Sequence, residues 1–110
     1  MSLIERNGVI PEKAYTFGDA IQALKEGKRV ARKGWNGKGM FVFKQVPANV
    51  GIQYVPNMQS LPASVKDEFV KRGENLNYSN QMCIVKSDNT IDSWVASSSD
   101  TFAEDWVILD

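Results

Sequence analysis

Apolar residues recur along this chain with two different periods, and those periods divide it into helices and strands. Phe17, Ala20, Ile21 and Leu24 fall at i, i+3, i+4 and i+7, one face of a helix. Thr16 is a good N-cap, and Asp19 supplies a capping-box-like carboxylate where Glu or Gln is usual. Gly27 stands in the C′ position and stops the helix after about ten residues. Lys28–Arg32 then reads as a short strand with Val30 facing opposite to Arg29 and Ala31, and Met40–Val46 as a second. Between them Asn36-Gly37 is a strong left-handed turn signal, so residues 28–46 predict a hairpin with a long, glycine-rich tip.

Further along, Gln81–Lys86 and Ile91–Ala96 read as strands joined by a turn over Ser87–Thr90. A helical turn over Asp100–Asp105, capped by Ser99, and a last strand Trp106–Leu109 complete the chain. Residues 47–80 are the least periodic, punctuated by Pro47, Gly51, Pro56 and Pro62. Ser60 is expected to cap a helix over 61–72, with Leu61, Val65 and Phe69 spaced by four and Gly73 closing it; 74–80 reads as polar loop. Near the start, Gly8-Val9-Ile10 is a short extended stretch ended by Pro11. These elements predict an α+β fold: a small antiparallel sheet of about five strands with one or two helices packed on one face. The expected organisation is a single domain over 1–110, with an N-terminal arm at 1–14 and a variable insertion at 47–80.

Composition narrows the function classes. A chain of 110 residues buries roughly two-thirds of its unfolded surface, enough for one core. Thirteen Lys and Arg balance thirteen Asp and Glu, unlike the basic excess of a protein that binds nucleic-acid polymers. Zero net charge also gives little colloidal repulsion and favours self-association. No apolar run approaches membrane-spanning length and the first residues lack a signal-peptide core, so the expected compartment is the cytosol. The one cysteine, Cys83, lies in the apolar run Met82–Val85 and reads as a small buried hydrophobe.

There is no histidine, which removes Ser-His-Asp and Cys-His catalysis and any zinc site relying on imidazole. No catalytic residue, metal ligand or cofactor is expected. Asp100, Glu104 and Asp105 are the carboxylates left for general acid/base work, although acids in the first turn of a short helix ordinarily complement its dipole. Two tryptophan-bearing loops carry the alternative. Arg32, Trp35, Asn36 and Lys38 surround the hairpin tip, leading into Phe41. Trp94, Ser98, Asp100, Asp105 and Trp106 fall in the closing block. An indole on a glycine-rich loop is a stacking plate for a purine, at ~1–3 kcal/mol per base; the competing reading is that Trp35 folds back as a plug at one end of the sheet.

The run from Phe17 to Met40, and the ending Trp94…Ser97…Asp100…Ala103-Glu104-Asp105-Trp106, resemble the opening and closing blocks of a family of small phage proteins, the Thoeris anti-defence type 2 family. That resemblance implies a sponge: a homo-oligomer, typically a tetramer, that sequesters the cyclic ADP-ribose isomer signal of the Thoeris system (glycocyclic ADP-ribose) in the host bacterial cytosol without cleaving it. It also implies that cyclic dinucleotides of the CBASS system can occupy separate pockets. On this reading Trp35 stacks on adenine, Asn36 reads its edge or a ribose, Asp100 accepts from ribose hydroxyls, and Arg32 and Lys38 face the pyrophosphate. Residues 1–14 and 47–80 depart from the shortest members of the family. Two other classes stand beside the sponge: a module that blocks a host protein through exposed aromatics, and a carboxylate-based nucleotide hydrolase.

Overall fold

The computed structural model describes residues 14–35 and 37–109, in two compact units: the chain up to Lys44 together with the chain from Gln81, and Gln45–Asn80. The stretch at Gly8–Ile10 and residue Asn36 lie outside the described residues.

In the first unit, helix α1 (Phe17–Lys25) forms where the 3.6-residue period runs. Its capping box is reciprocal: the Asp19 N–H donates to Thr16 Oγ1 at 3.2 Å, and the Thr16 N–H donates to Asp19 Oδ2 at 3.0 Å. Gly27 takes φ +85°, a left-handed conformation that lets the chain turn out of the helix. Ala20, Ala23 and Leu24 are the buried face, and the two alanines leave room for the helix to lie close to the sheet.

Among the described residues the strands are β1 (Arg29–Arg32), β2 (Phe41–Lys44), β3 (Ala48–Val50), β4 (Leu76–Tyr78), β5 (Met82–Val85), β6 (Ile91–Ser93) and β7 (Trp106–Leu109). Five of them form one antiparallel sheet in the order β6-β5-β2-β1-β7. The fold is therefore α+β. Strand register aligns Ile84, Val42, Val30 and Ile108 in a single row across four strands, and this row belongs to the core with α1. Val30 and Val42 are fully buried, each contributing about 1.5–3 kcal/mol. Ala31, on the opposite face, is buried as well, because β1 is an inner strand and the short alanine is overtopped by larger neighbours such as its partner Val107. Cys83 is buried in β5.

Some boundaries differ from expectation. The strand predicted over Ile91–Ala96 ends at Ser93; Trp94 still donates its N–H to Met82 C=O at 2.9 Å but leaves the ladder. The last helix, α3, covers Ser98–Phe102 and is capped by Ser97 rather than Ser99. At the hairpin tip Gly39 takes φ +73°.

The second unit leaves the sheet at Lys44 and returns at Met82, which are cross-strand partners, so the sheet closes without it. Within it β3 and β4 pair antiparallel; the stretch 74–80, read as loop, thus contains a strand. That strand has a single buried apolar residue, Leu76, and side-chain amides supplement its pairing: Asn75 Nδ2 donates to Asn49 Oδ1 at 3.2 Å and accepts the Ile52 N–H at its Oδ1 at 3.0 Å. A 3-10 helix over Ile52–Asn57 buries Val55. Helix α2 spans Ala63–Arg72 with Pro62, not Ser60, at the cap position. The reason is steric: Leu61 precedes a proline and is excluded from helical backbone. Gly73, at φ +67°, closes α2 as expected.

Candidate functional site

Arg32 is the last residue of β1 and lies opposite Trp106, the first of β7. Its guanidinium reaches two carboxylates: Nη1 donates to Asp100 Oδ1 at 2.9 Å and Nε donates to Asp105 Oδ1 at 2.8 Å. The second oxygen of Asp105 accepts the Gly34 N–H at 2.9 Å, and the Asp105 carbonyl accepts the Lys33 N–H at 3.1 Å. Gly34 lacks a side chain where one would be crowded, since a Cβ there would stand 3.0 Å from Asp105 Oδ2. Asp100 is the N3 residue of a second capping box. Its Oδ2 accepts from the Ser97 N–H at 3.0 Å and the Ser97 hydroxyl at 2.9 Å, and its own N–H donates to Ser97 Oγ at 3.1 Å.

The electrostatics follow from these bonds. Burial alone pushes the Asp100 carboxyl up, but hydrogen bonds from Arg32, Ser97 and the Trp35 side chain outweigh it and leave the pKa lowered. Asp105 is lowered chiefly by its Arg32 hydrogen bond, against a smaller upward push from burial. Arg32 is raised by its bonds to Asp105 and Asp100. Both carboxylates are held ionised, so the guanidinium charge is more than offset and the triad carries one excess negative charge.

Three indoles pack beside this network. Trp106 is fully buried, and its Nε1–H donates to the Asp100 carbonyl at 3.0 Å. Its backbone also exchanges hydrogen bonds with Tyr15, at 3.0 and 3.1 Å, so it is flanked on both sides. Trp35, Trp94 and Trp106 meet pairwise edge to face: 6.1 Å for Trp35–Trp94, 5.6 Å for Trp35–Trp106 and 6.1 Å for Trp94–Trp106. Phe17 of α1 lies 5.6 Å from Trp106. Trp35 and Trp94 are partly buried and pack against the core.

The pattern that defines the Tad2-like, or Thoeris anti-defense 2-like, domain matches residues 15–109. The chain belongs to that family. A Thoeris anti-defense 2 protein of Bacillus phage SP01 is 37% identical over 97 residues, spanning 86% of this chain and 93% of the relative. All described members of the Arg32 network and the indole cluster lie within the matched Tad2-like domain, whose family gives the protein an anti-defence role. No helix among the described residues is long and apolar enough to cross a membrane.

Within this Tad2-like domain the residues singled out from the sequence do not all converge. Trp35, Trp94, Trp106, Arg32, Asp100 and Asp105 come together from opposite ends of the chain. Phe41 does not. It sits on the sheet face opposite Val42, with the Arg29 guanidinium 5.1 Å from its ring centre. Trp106, a ligand residue by the resemblance but core by its very apolar strand, is fully buried, because a strand neighbour on each side and α1 enclose it. Arg32, expected to face a pyrophosphate, is engaged by two carboxylates that would repel one. Asp100, expected to accept from ribose, has its oxygens occupied by Arg32 and Ser97. Lys38 and Ser98 are exposed; the Lys38 carbonyl accepts the Ser87 hydroxyl at 3.0 Å. Trp35 is neither a bare plate nor a sealed plug.

Three residues went unanticipated: Ser97, Gly34 and Tyr15. Ser97 was legible, because Ser97-x-x-Asp100 repeats the Thr16-x-x-Asp19 capping pattern. Gly34 and Tyr15 act through backbone contacts to Asp105 and Trp106, for which one chain carries no signal. Among the described residues no cluster of His, Cys, Asp and Glu is placed to hold a metal ion.

Proposed function

We propose that this Thoeris anti-defense 2-like protein is a non-enzymatic sponge. It takes up the cyclic nucleotide signal of Thoeris immunity, glycocyclic ADP-ribose, in the bacterial cytosol and holds it unchanged; cyclic dinucleotides of CBASS are a second class of ligand. The observation that carries this reading is the state of the carboxylates. A hydrolase working through Asp100 and Asp105 needs one of them protonated to act as general acid. Both are instead lowered in pKa and tied to Arg32. Carboxylates engaged in this way, beside two part-buried indoles, suit holding a ligand rather than attacking it. On this reading Trp35 with Trp94 forms the aromatic wall, and Lys38, exposed on the hairpin tip, is a cation for the ligand's pyrophosphate.

Magnitudes support an oligomer. Capture of a scarce signal at nanomolar level needs about −12 kcal/mol. One stacked base supplies ~1–3 kcal/mol. The rest requires several charge-assisted bonds and near-complete enclosure, which a pair of part-buried indoles on one chain does not provide. A second copy of the chain, in a homo-oligomer such as a tetramer, completes the pocket.

The test is capture and release. The protein is incubated with glycocyclic ADP-ribose, freed of unbound ligand, heated, and the supernatant analysed. Intact ligand appearing only after denaturation is expected; altered ligand would mean an enzyme. Trp35→Ala is expected to fold and lose capture, and normal capture by it would sink the stacking role. A different reading has one observation in its favour: Val95 and Phe102, 84% and 82% exposed, lie in the closing block and offer apolar anchors for a host protein. Absence of uptake across a panel of cyclic nucleotides would favour it.

A further inference from the structure

Asp105 bonds to three consecutive residues of the hairpin tip. Its Oδ1 accepts from Arg32 Nε, its carbonyl accepts the Lys33 N–H, and its Oδ2 accepts the Gly34 N–H. The turn then closes with the Trp35 N–H donating to the Arg32 carbonyl at 3.2 Å. The residue after Asp105 is Trp106, the buried indole against which Trp35 packs at 5.6 Å. One side chain thereby couples the backbone that carries Trp35 to the backbone that carries its floor. We propose that Asp105 is the positioning residue for Trp35, and that Gly34 is glycine so that the Asp105 carboxylate can approach the turn. In this role Asp105 acts through Trp35 rather than on the ligand. The proposal rests on the reading of Trp35 as the ligand-facing indole.

The chemistry makes the role specific to a carboxylate. Two N–H donors, Arg32 Nε and Gly34 N, converge on the two oxygens of Asp105. Asparagine has the same shape but one oxygen and one amide nitrogen, so whichever way it turns, a donor meets a donor. Gly34→Ala perturbs the same contact from the other side, keeping every charge while setting a methyl 3.0 Å from Oδ2.

The experiment compares wild type, Asp105→Asn, Gly34→Ala and the control Asp92→Asn, which breaks the exposed Lys86–Asp92 ion pair of the same sheet. Two readouts are taken: near-UV circular dichroism of ligand-free protein, which reports how the three indoles couple, and the Kd for glycocyclic ADP-ribose. Asp105→Asn and Gly34→Ala are expected to change the near-UV spectrum while far-UV signal and cooperative unfolding persist, and to raise Kd about tenfold or more; Asp92→Asn changes neither. A merely structural residue would lower stability and leave the folded-state spectrum and Kd alone, which would overturn the proposal. So would a changed spectrum with unchanged Kd, or failure of both variants to fold. Should only Asp105→Asn fail to fold, Gly34→Ala decides. If wild type takes up no ligand, the sponge reading fails by itself, and an unaltered ligand-free spectrum in the variants would separately refute the positioning role.

Discussion

Replacing Arg32 with alanine tests the network most directly. The guanidinium donates two charge-assisted bonds, at 2.9 and 2.8 Å, and the side chains of Arg32, Asp100 and Asp105 are 20%, 13% and 32% exposed. An exposed ion pair contributes about 0–1 kcal/mol, whereas breaking a buried one costs about 3–5 kcal/mol by stranding a charge. This network lies between those limits, with Asp100 nearer the buried end, so Arg32→Ala is expected to cost about 2–3 kcal/mol near neutral pH. All three tryptophans belong to the first unit, so indole fluorescence during urea unfolding reports that unit. With a slope of about 1–3 kcal/mol per molar urea, the midpoint should fall by about 0.7–3 M. The sign of the pH dependence gives a second check. Both carboxylates have folded pKa values below 3.8, so the stability they contribute is fully present above that value and is lost as pH falls through the lowered folded values. In the variant the stranded carboxylates can take up protons, so its deficit relative to wild type should shrink as the pH falls below about 4. A deficit under about 0.5 kcal/mol near neutral pH, or one that stays constant into acid, would refute this account of the network.

Other substitutions separate the remaining contributions. Ser97→Ala keeps the backbone N–H bond to Asp100 but removes the hydroxyl that donates to its carboxylate and accepts its N–H; these bonds are part-buried, so the loss should exceed that of Thr16→Ala, which removes an exposed cap worth about 1 kcal/mol, and equal losses in urea unfolding would contradict this. Trp106→Phe keeps an aromatic ring but leaves the Asp100 carbonyl without its indole donor and opens space in the core, for an expected loss of about 2–4 kcal/mol by the same assay. Gly73→Ala meets no atom within 4 Å, yet φ is +67°, so it should cost about 1–2 kcal/mol from backbone conformation alone, read as a lowered melting temperature.

What the chain alone determines about this protein is what short-range physics decides. The helix after Thr16, its stop at Gly27, the closure of α2 at Gly73 and the hairpin of β1 and β2 each depend on residues within a few positions of one another. The Ser97 cap belonged to the same class and was displaced by two residues only because three serines in a row compete for it. The strand Leu76–Tyr78 escaped because its pairing with Ala48–Val50 and its amide contacts are non-local. The site divides the same way. Its residue types were visible at both ends of the chain, but their partners were not. Arg32 and Asp105 are 73 positions apart, and no local pattern tells a guanidinium awaiting an anion from one already matched by two carboxylates. Which sheet face Phe41 takes depends on Val42 pairing with Val30 and Ile84 in the row that packs with α1, and how deeply Trp106 is enclosed depends on β7 pairing with β1 and on the Tyr15 bridge. Tertiary structure decided these points because burial and charge pairing are set by what arrives from elsewhere in the chain.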